Sequence, residues 1–247
     1  MSVEHKGWDW TDVTSDSWNL ISEEFLPVAI NWCQKFKSIL DLGTGKGRHA
    51  FFFAKNGLSS SAIDFSESGI EYVKQTAKEL GLEVNAKVAD MISIPFEDES
   101  FDGIICFHTI YHTDFNGMKK VLSEIYRLLK DGGEAYLTFN SKENPNFDKD
   151  KSIDGYTMIS SEGFEKGIPH AYVDEKDIWE LTYPFKIISM NKVQHFIRNG
   201  NPAKGIHYFV HIRKENWSHY RTKDSADSTE ITDTPASSRS FIPKSFL

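Results

Sequence analysis

Residues 40–57, LDLGTGKGRHAFFFAKNG, place an acid and closely spaced glycines in one short stretch. Asp41 is followed by Gly43, Gly45 and Gly47, between an apolar run and a helix-like run. Glycines at such a junction let the backbone turn sharply and approach a bound ligand closely. The chemistry of the stretch therefore depends on which ligand its spacing fits.

Two nucleotide-binding patterns do not fit this spacing. The dinucleotide pattern G-x-G-x-x-G, started at Gly43, needs a glycine where Arg48 stands. The triphosphate loop G-x-x-x-x-G-K-[ST] needs Ser or Thr directly after Lys46, but Gly47 follows it. Asp41 also favours a different ligand, because a carboxylate beside the turn repels a pyrophosphate and attracts an ammonium group.

Two further acids stand where predicted strands end. Asp64 ends the second predicted strand, where a carboxylate can accept hydrogen bonds from both hydroxyls of a ribose. Asp90 ends the third, where an acid can accept a hydrogen bond from an adenine amino group, and Met91 beside it can pack on the ring. A helix cap at Asp64 and a turn acid at Asp90 are the structural alternatives.

The elements that must position these acids alternate between strand and helix. Apolar runs bounded by turns predict strands at 38–43, 59–66, 83–91, 101–108 and 134–140. Apolar residues at helical spacing predict helices at 17–35, 48–57, 67–80 and 116–130. Together they predict a doubly wound, Rossmann-like α/β sheet that is mostly parallel.

The alternation breaks after the fifth strand. Residues 141–183 form an insert with one short predicted helix at 175–182. Two extended runs at 185–198 and 206–215 then predict an antiparallel hairpin at the sheet edge, which ends a domain spanning 36–215. The polar residues 216–247 predict a flexible tail.

The N-terminal residues 1–35 are predicted to be a helical segment. Trp8, Trp10 and Trp18 in it are either a lid over the ligand site or core residues, and core packing is the more common use of tryptophan.

Composition narrows the class of protein. The formal net charge is −8, and no cluster of Lys and Arg offsets it, so we predict no nucleic-acid partner. We also expect no membrane association, because no apolar run is long enough to span a bilayer and no secretory signal is visible. Cys33 and Cys106 lie in apolar surroundings and predict buried free thiols in a cytoplasmic protein.

Four stretches in order resemble the class I S-adenosylmethionine-dependent methyltransferases, a family with a seven-stranded Rossmann-like sheet. They are ILDLGTGKGRHA, AIDFSESGI, VADMISIPFEDESFDGIICFHTIYH and EIYRLLKDGGEAYLTF. The predicted edge hairpin matches the family's last two strands. The arginine after the third glycine gives a looser resemblance to tellurite-resistance-type methyltransferases.

The resemblance implies S-adenosylmethionine as cofactor and assigns residues to it. The methionine end falls to the glycine turn, the ribose and adenine to the acids and their neighbours, and Phe107 lies beside the cofactor. The residues implied are Asp41, Gly43, Thr44, Gly45, Gly47, Asp64, Phe65, Asp90, Met91 and Phe107.

Three histidines are candidates for a catalytic base. His108 and His112 follow the fourth strand, where acceptor-facing residues of this fold lie, and His170 lies in the insert. A neutral imidazole can take a proton near pH 7, although packing and hydrogen bonding are at least as common a use of such residues. No H-x-E or CxxC spacing is present, so the sequence predicts no metal site.

The expected function is transfer of a methyl group to a small-molecule acceptor by in-line displacement. A protein methyltransferase and a non-catalytic S-adenosylmethionine-binding sensor are the alternatives. The sequence names neither the acceptor nor the oligomeric state.

Overall fold

The computed structural model describes residues 8–11, 20–161, 165–198, 201–202 and 205–215. These residues lie in a compact unit, Met1–Glu215. The predicted flexible tail, residues 216–247, lies outside the described residues.

The fold consists of a central sheet with helices packed against it. The strands are β1 (Ser38–Leu42), β2 (Ser59–Asp64), β3 (Val84–Val88), β4 (Phe101–Cys106), β5 (Leu129–Ser141), β6 (Thr157–Ile159), β7 (Pro169–Val173), β8 (Lys186–Gln194), β9 (Ile197–Arg198), β10 (Asn201–Pro202) and β11 (Ile206–Arg213). The helices are α1 (Leu26–Lys35), α2 (Arg48–Lys55), α3 (Glu67–Leu80), α4 (Phe115–Leu128) and α5 (Glu175–Thr182).

The sheet confirms the predicted fold class. Its seven main strands run in the order β3-β2-β1-β4-β5-β11-β8. The first five pair in parallel, whereas β11 pairs antiparallel with both β5 and β8, which is the predicted edge hairpin. The strand order reverses between β1 and β4, and the carboxyl ends of strands at such a switch point border a crevice that binds ligands.

Helix α3 begins and ends where the sequence predicts. The Ser66 side chain accepts a hydrogen bond from the Gly69 amide at the N-terminus, and Gly81 ends the helix with a φ of 64°. The predicted apolar face is buried over most of its length, but its last residue, Leu80, is 48% exposed. The helix therefore extends past the edge of the sheet by its final turn.

The N-terminal helix is shorter than predicted. It begins at Leu26; residues 23–25 form a turn and residues 20–22 are not helical, while residues 12–19 lie outside the described residues. Pro27 explains the boundary, because proline lacks an N–H and is accommodated in the first turn of a helix but not in its interior. The prediction of a helix from residue 17 is therefore wrong for residues 20–25.

The junction between α4 and β5 also differs from the prediction. Helix α4 ends at Leu128 and β5 starts at once, so residues 131–133 belong to the strand instead of forming a separate turn. The pairing with β4 is irregular between Phe101 and Gly103, opposite this stretch. Gly132 has a φ of 78°, which the irregular strand requires and which glycine adopts without steric cost.

The insert has more structure than its sequence indicates. Helix α5 is confirmed, but the segment also contains β6, β7 and a short 3-10 helix at Lys149–Lys151. Strand β7 pairs in parallel with the end of β5 and antiparallel with β6. These strands have three and five residues, too few for a clear alternation of polar and apolar residues.

A buried glutamate on β5 joins α1 to β5 and β11. Glu134, 1% exposed, accepts hydrogen bonds from Trp32 Nε1 at 2.8 Å and Lys35 Nζ at 2.7 Å. His211 Nε2 lies 2.8 Å from Oε2, and Arg213 Nη2 donates to Oε1 at 2.8 Å. Burial alone would raise the pKa of Glu134, but hydrogen bonds from His211, Lys35 and the other donors outweigh it and hold that pKa well below its ordinary value.

Both cysteines are free thiols, as predicted. Cys106 is buried, and burial raises its pKa, whereas Cys33 is only half-buried. Among the described residues, no helix combines the length and the apolar character needed to cross a membrane.

Candidate active site

The glycine turn is held to the end of β2 by backbone hydrogen bonds. The amides of Gly43 and Thr44 both donate to the Ile63 carbonyl, at 2.8 and 2.9 Å. Gly43 has a φ of 75°, and a Cβ on it would lie 2.2 Å from Thr109 Cγ2. Only glycine meets both demands, so the sharp turn and the close approach of the loop after β4 explain this residue.

Asp41 lies behind the turn instead of facing the cavity. Its side chain is 1% exposed, and its Oδ2 accepts hydrogen bonds from Thr44 Oγ1 at 2.7 Å and from the Ala50 amide at 3.2 Å. It is not among the described residues that line the cavity. The expectation that its carboxylate attracts a cationic ligand directly is therefore wrong for this geometry, because burial and these donors tie it to the turn and to α2.

Asp64 faces the cavity and is tied to the turn on its other side. Its Oδ2 accepts a hydrogen bond from the Gly45 amide at 2.8 Å, and its Oδ1 accepts one from the Ser66 amide at 2.8 Å. Burial raises the pKa of Asp64, and the charge of Asp41 adds to this, while the backbone N–H groups oppose it. Each carboxylate oxygen keeps a second lone pair, so the group can still accept from two ribose hydroxyls.

A single cavity of about 630 Å³ collects most of the predicted cofactor residues. Gly47 is not among its lining residues and instead begins α2, where a Cβ would meet Phe51 and Val73 at 2.9 Å. The predicted residues that do line the cavity are Gly43, Thr44, Gly45, Asp64, Phe65, Asp90, Met91 and Phe107.

S-adenosylmethionine fits the residues that are present. Gly43 and Gly45 line the cavity and offer backbone groups to the methionine end, and Asp64 offers acceptors for a ribose. Phe65 is 48% exposed and Met91 is partly buried, so both offer apolar surface to an adenine ring. The assignment of individual atoms to this cofactor stays a prediction.

Comparison with known proteins leads to the same chemistry. Residues 39–133 match a family described as "Methyltransferase domain". The uncharacterized methyltransferase YcgJ of Bacillus subtilis is 30% identical over 119 residues, 47% of this chain and 46% of YcgJ. The demethylmenaquinone methyltransferase of Thermus thermophilus is 34% identical over 104 residues, 41% of this chain and 46% of that protein.

Residues 39–133 of this chain therefore match a methyltransferase domain, and the chain is similar to S-adenosylmethionine-dependent methyltransferases. Their cofactor is the one that the sequence predicts. The aligned region spans about half the length of these two curated relatives.

Solved structures share the fold of this chain. A SAM-dependent methyltransferase from Methanosarcina mazei superposes with a TM-score of 0.66 at 22% identity, over 76% of this chain and 97% of the other. The 1,6-didemethyltoxoflavin-N1-methyltransferase of Burkholderia thailandensis, whose structure contains S-adenosylhomocysteine, gives a TM-score of 0.59 at 18% identity, over 84% and 81%.

The three candidate histidines all line the same cavity. His108 has a φ of 53°, a left-handed conformation that is unusual for a side-chain-bearing residue and is found most often at functional sites. Its Nδ1 lies 3.2 Å from the Tyr111 hydroxyl. His112 is shielded from solvent, and burial together with the neighbouring His170 lowers its pKa well below the ordinary value.

The insert is held against the loop that follows β4. The Ala171 amide donates to the Tyr111 carbonyl at 2.8 Å. This bond places the His170 ring 4.9 Å from the His112 ring, at an interplanar angle of 81°. Glu165 then completes a group of three possible metal ligands with these two histidines. Local spacing in the sequence cannot reveal such a group, because its members come from distant segments.

Trp8 and Trp10, for which the sequence left a lid and core packing open, both line the cavity. Trp10 packs on the turn so closely that a Cβ on Gly45 would lie 2.6 Å from its Cζ2 atom. Trp8 stacks on His112 with ring centroids 5.8 Å apart. The clustering of tryptophans near the N-terminus was the available signal. His207 on β11 also lines the cavity, and nothing in its local sequence indicates this.

Arg48 lies at the cavity wall beside Phe107. Its guanidinium stands over the Phe107 ring at 5.1 Å, and its Nη1 donates to the Leu20 carbonyl at 3.3 Å.

Proposed function

We propose that this protein transfers a methyl group from S-adenosylmethionine to a small-molecule acceptor bound in the same cavity. The observation that carries the proposal is the continuity of that cavity. Its lining residues include the glycine turn and Asp64 as well as side chains of the insert and of the end of β5. Those of the insert and of β5 include Asn140, Asn144, Met158, His170 and Tyr172.

The size and lining of the cavity suit small ligands. Its volume of about 630 Å³ falls within the range of about 300–1,000 Å³ that is typical of small-molecule sites. Aromatic rings, imidazoles and amides alternate around it, which suits a planar or partly polar acceptor. A polypeptide substrate needs an open groove. Trp8 and Trp10 form part of the cavity wall instead, which favours a small acceptor.

The bound cofactor would supply a methyl group on a positively charged sulfur, which is already activated for in-line displacement. The protein then has to align the acceptor and keep water out. Phe107, 5% exposed, and the stacked rings of Trp8 and Trp10, 5.4 Å apart, provide apolar walls for this purpose. Among the three candidate histidines, His108 best fits a proton acceptor, because the Tyr111 hydroxyl can hold its ring in one orientation.

The names of relatives support a small acceptor. Demethylmenaquinone and 1,6-didemethyltoxoflavin stand in the names of two methyltransferases that resemble this chain. The net charge of −8 supports the absence of a nucleic-acid partner, and a cytoplasmic location stays a prediction.

Methyl-labelled S-adenosylmethionine tests the proposal. The full chain would be incubated with a cell extract divided into a small-molecule fraction and a protein fraction, and label would be measured in each. Label in the small-molecule fraction, absent with Asp64→Ala, is the expected result. Label confined to polypeptides would indicate a protein methyltransferase instead. Tight binding of the cofactor without transfer to either fraction would indicate a sensor.

A further inference from the structure

Two histidines and a glutamate converge on one part of the cavity wall. His112 comes from the loop after β4, whereas Glu165 and His170 come from the insert. Each of the three offers one ligand atom, and these atoms all lie within 4.8 Å of one another. None of these residues belongs to the predicted cofactor set.

The orientation of His170 makes its Nε2 atom a ligand. Its Nδ1 lies 3.1 Å from the Ile168 carbonyl oxygen, which only accepts hydrogen bonds, so Nδ1 carries the proton of this contact. In a neutral ring Nε2 then holds a lone pair, and it lies 3.3 Å from Glu165 Oε2. Two acceptors at that distance require a cation between them, either a proton on Nε2 or a metal ion. A histidine bound to a backbone carbonyl through one nitrogen is the usual arrangement for binding a metal through the other.

His112 is held in place as a third ligand. Its ring stacks on Trp8 and lies edge-on to Tyr111 with centroids 4.7 Å apart, so its plane is set by packing. Its Nε2 is shielded from solvent and has no hydrogen-bond partner among the described residues. An imidazole nitrogen buried without a partner costs free energy, which a bound cation would recover.

We propose that His112, Glu165 and His170 bind a divalent transition-metal ion of the Zn²⁺ class. Two imidazoles and one carboxylate are a known donor set for zinc sites that keep a fourth position open. Calcium and magnesium fit poorly, because both prefer oxygen ligands. In a tetrahedral zinc site the ligand atoms lie about 3.4 Å apart. His170 Nε2 and Glu165 Oε2 are already 3.3 Å apart, so only His112 would have to move closer, by at most about 1.4 Å.

The open position would take the acceptor, an inference that rests on the proposed function. The metal ligands line the same cavity as the cofactor residues, so the fourth position lies where a second ligand can reach it. A metal ion there favours an acceptor with a hydroxyl or another lone-pair group, because such a group can occupy that position and be held in one orientation.

Binding of metal ions to the chain by itself tests the site. The full chain, without a histidine tag and dialysed against a chelator, would be titrated with Zn²⁺ by calorimetry and with Co²⁺ by visible absorption. We expect one ion per chain and the intense visible bands of tetrahedral Co²⁺. Glu165→Gln and His112→Gln should each weaken binding at least about tenfold.

His195→Gln is the matched control. His195 Nε2 lies 2.6 Å from Glu24 Oε1, another histidine–glutamate pair, but these two do not form a three-ligand group. This variant should bind metal as the wild type does, and thermal unfolding would show that all variants are folded. Absence of stoichiometric binding, or equal binding by all variants, would overturn the proposal in favour of a protonated His170–Glu165 ion pair.

The metal titration contains neither cofactor nor acceptor, so it does not depend on methyl transfer. Metal binding without transfer to any fraction would retain the site and reject the proposed function. Full transfer activity in the chelated protein, with no Co²⁺ bands, would support the proposed function and reject the metal site.

Discussion

The Asp64 carboxylate accepts a hydrogen bond from the Gly45 amide at 2.8 Å, so the end of β2 and the glycine turn form one rigid unit. This contact sets the position of both the predicted ribose acceptor and the predicted methionine-end backbone. A substitution that displaces either Asp64 or Gly45 should therefore also displace the other.

Asp64→Ala should weaken S-adenosylmethionine binding by about 10- to 100-fold. The change removes charged acceptors for ribose hydroxyls, each worth about 1.5–3 kcal/mol, and releases the Gly45 amide. Calorimetry with S-adenosylmethionine and S-adenosylhomocysteine measures the loss. Glu71→Ala, an exposed acid on the following helix, is the control. Unchanged affinity in Asp64→Ala would contradict the assignment.

Gly45→Ala should weaken cofactor binding by about two- to tenfold, the loss expected if Trp10 is displaced, whereas Gly81→Ala should leave binding intact. Gly45 and Gly81 have similar left-handed φ values, 54° and 64°, so each substitution should destabilise the fold by about 1–2 kcal/mol. Only at Gly45 does a Cβ meet a neighbour, Trp10 at 2.6 Å, while at Gly81 nothing lies within 4 Å. Urea unfolding measures the backbone strain in both variants, and calorimetry measures the effect of the contact with Trp10 on cofactor affinity. Equal affinities would show that Trp10 moves aside freely.

Trp10→Ala tests the predicted lid. Loss of its ring from the cavity wall should speed cofactor dissociation by about two- to tenfold, since an aromatic contact is worth about 0.5–1.5 kcal/mol. Stopped-flow displacement of bound S-adenosylhomocysteine gives the rate. Trp179→Ala, on α5 and 60% exposed, should behave as the wild type. A dissociation rate for Trp10→Ala equal to that of Trp179→Ala would remove the lid hypothesis.

His108→Asn tests the candidate base. Methyl transfer near pH 7 should fall by on the order of 10²-fold, with cofactor affinity unchanged and the acid limb of the pH–rate profile lost. The control is His195→Asn, since His195 is not among the residues that line the cavity. An unaltered pH profile would assign His108 to packing.

Glu134→Ala should lower the free energy of unfolding by about 3 kcal/mol near neutral pH, because it leaves its buried partners without an acceptor. The pKa of Glu134 is lowered in the folded state, so its stabilisation is complete above the ordinary glutamate value of about 4.3. It is lost as the pH falls from there towards the folded-state pKa.

The difference between wild type and Glu134→Ala should therefore shrink between about pH 5 and pH 3. Urea unfolding across that range measures it. Glu97→Ala, an exposed acid, should cost within about 0.5 kcal/mol at every pH. If the difference in free energy of unfolding between wild type and Glu134→Ala grew as the pH fell, the pKa of Glu134 would be raised in the folded state and not lowered.

The sequence by itself predicted the alternation of strands and helices as far as β5, and its resemblance to a methyltransferase family implied the cofactor. The spacing of apolar residues and the turn residues predicted the elements; for example, α3 begins after Ser66 and ends before Gly81. The spacing of the glycines after Asp41 excluded two nucleotide-binding patterns. Local sequence patterns did not predict elements that depend on pairing with strands distant in the sequence. The short strands β6 and β7 form only because β5 offers an edge to pair with.

Only the tertiary structure decided which side chains face the cavity. Asp41 is one residue before the end of β1. The alternation of side chains along the strand does not predict that its carboxylate accepts hydrogen bonds from Thr44 and Ala50. The grouping of His112, Glu165 and His170 depends on the pairing of the insert with β5 and on the bond from Ala171 to Tyr111. Contacts between segments so far apart in the chain arise from packing, and no spacing rule encodes them.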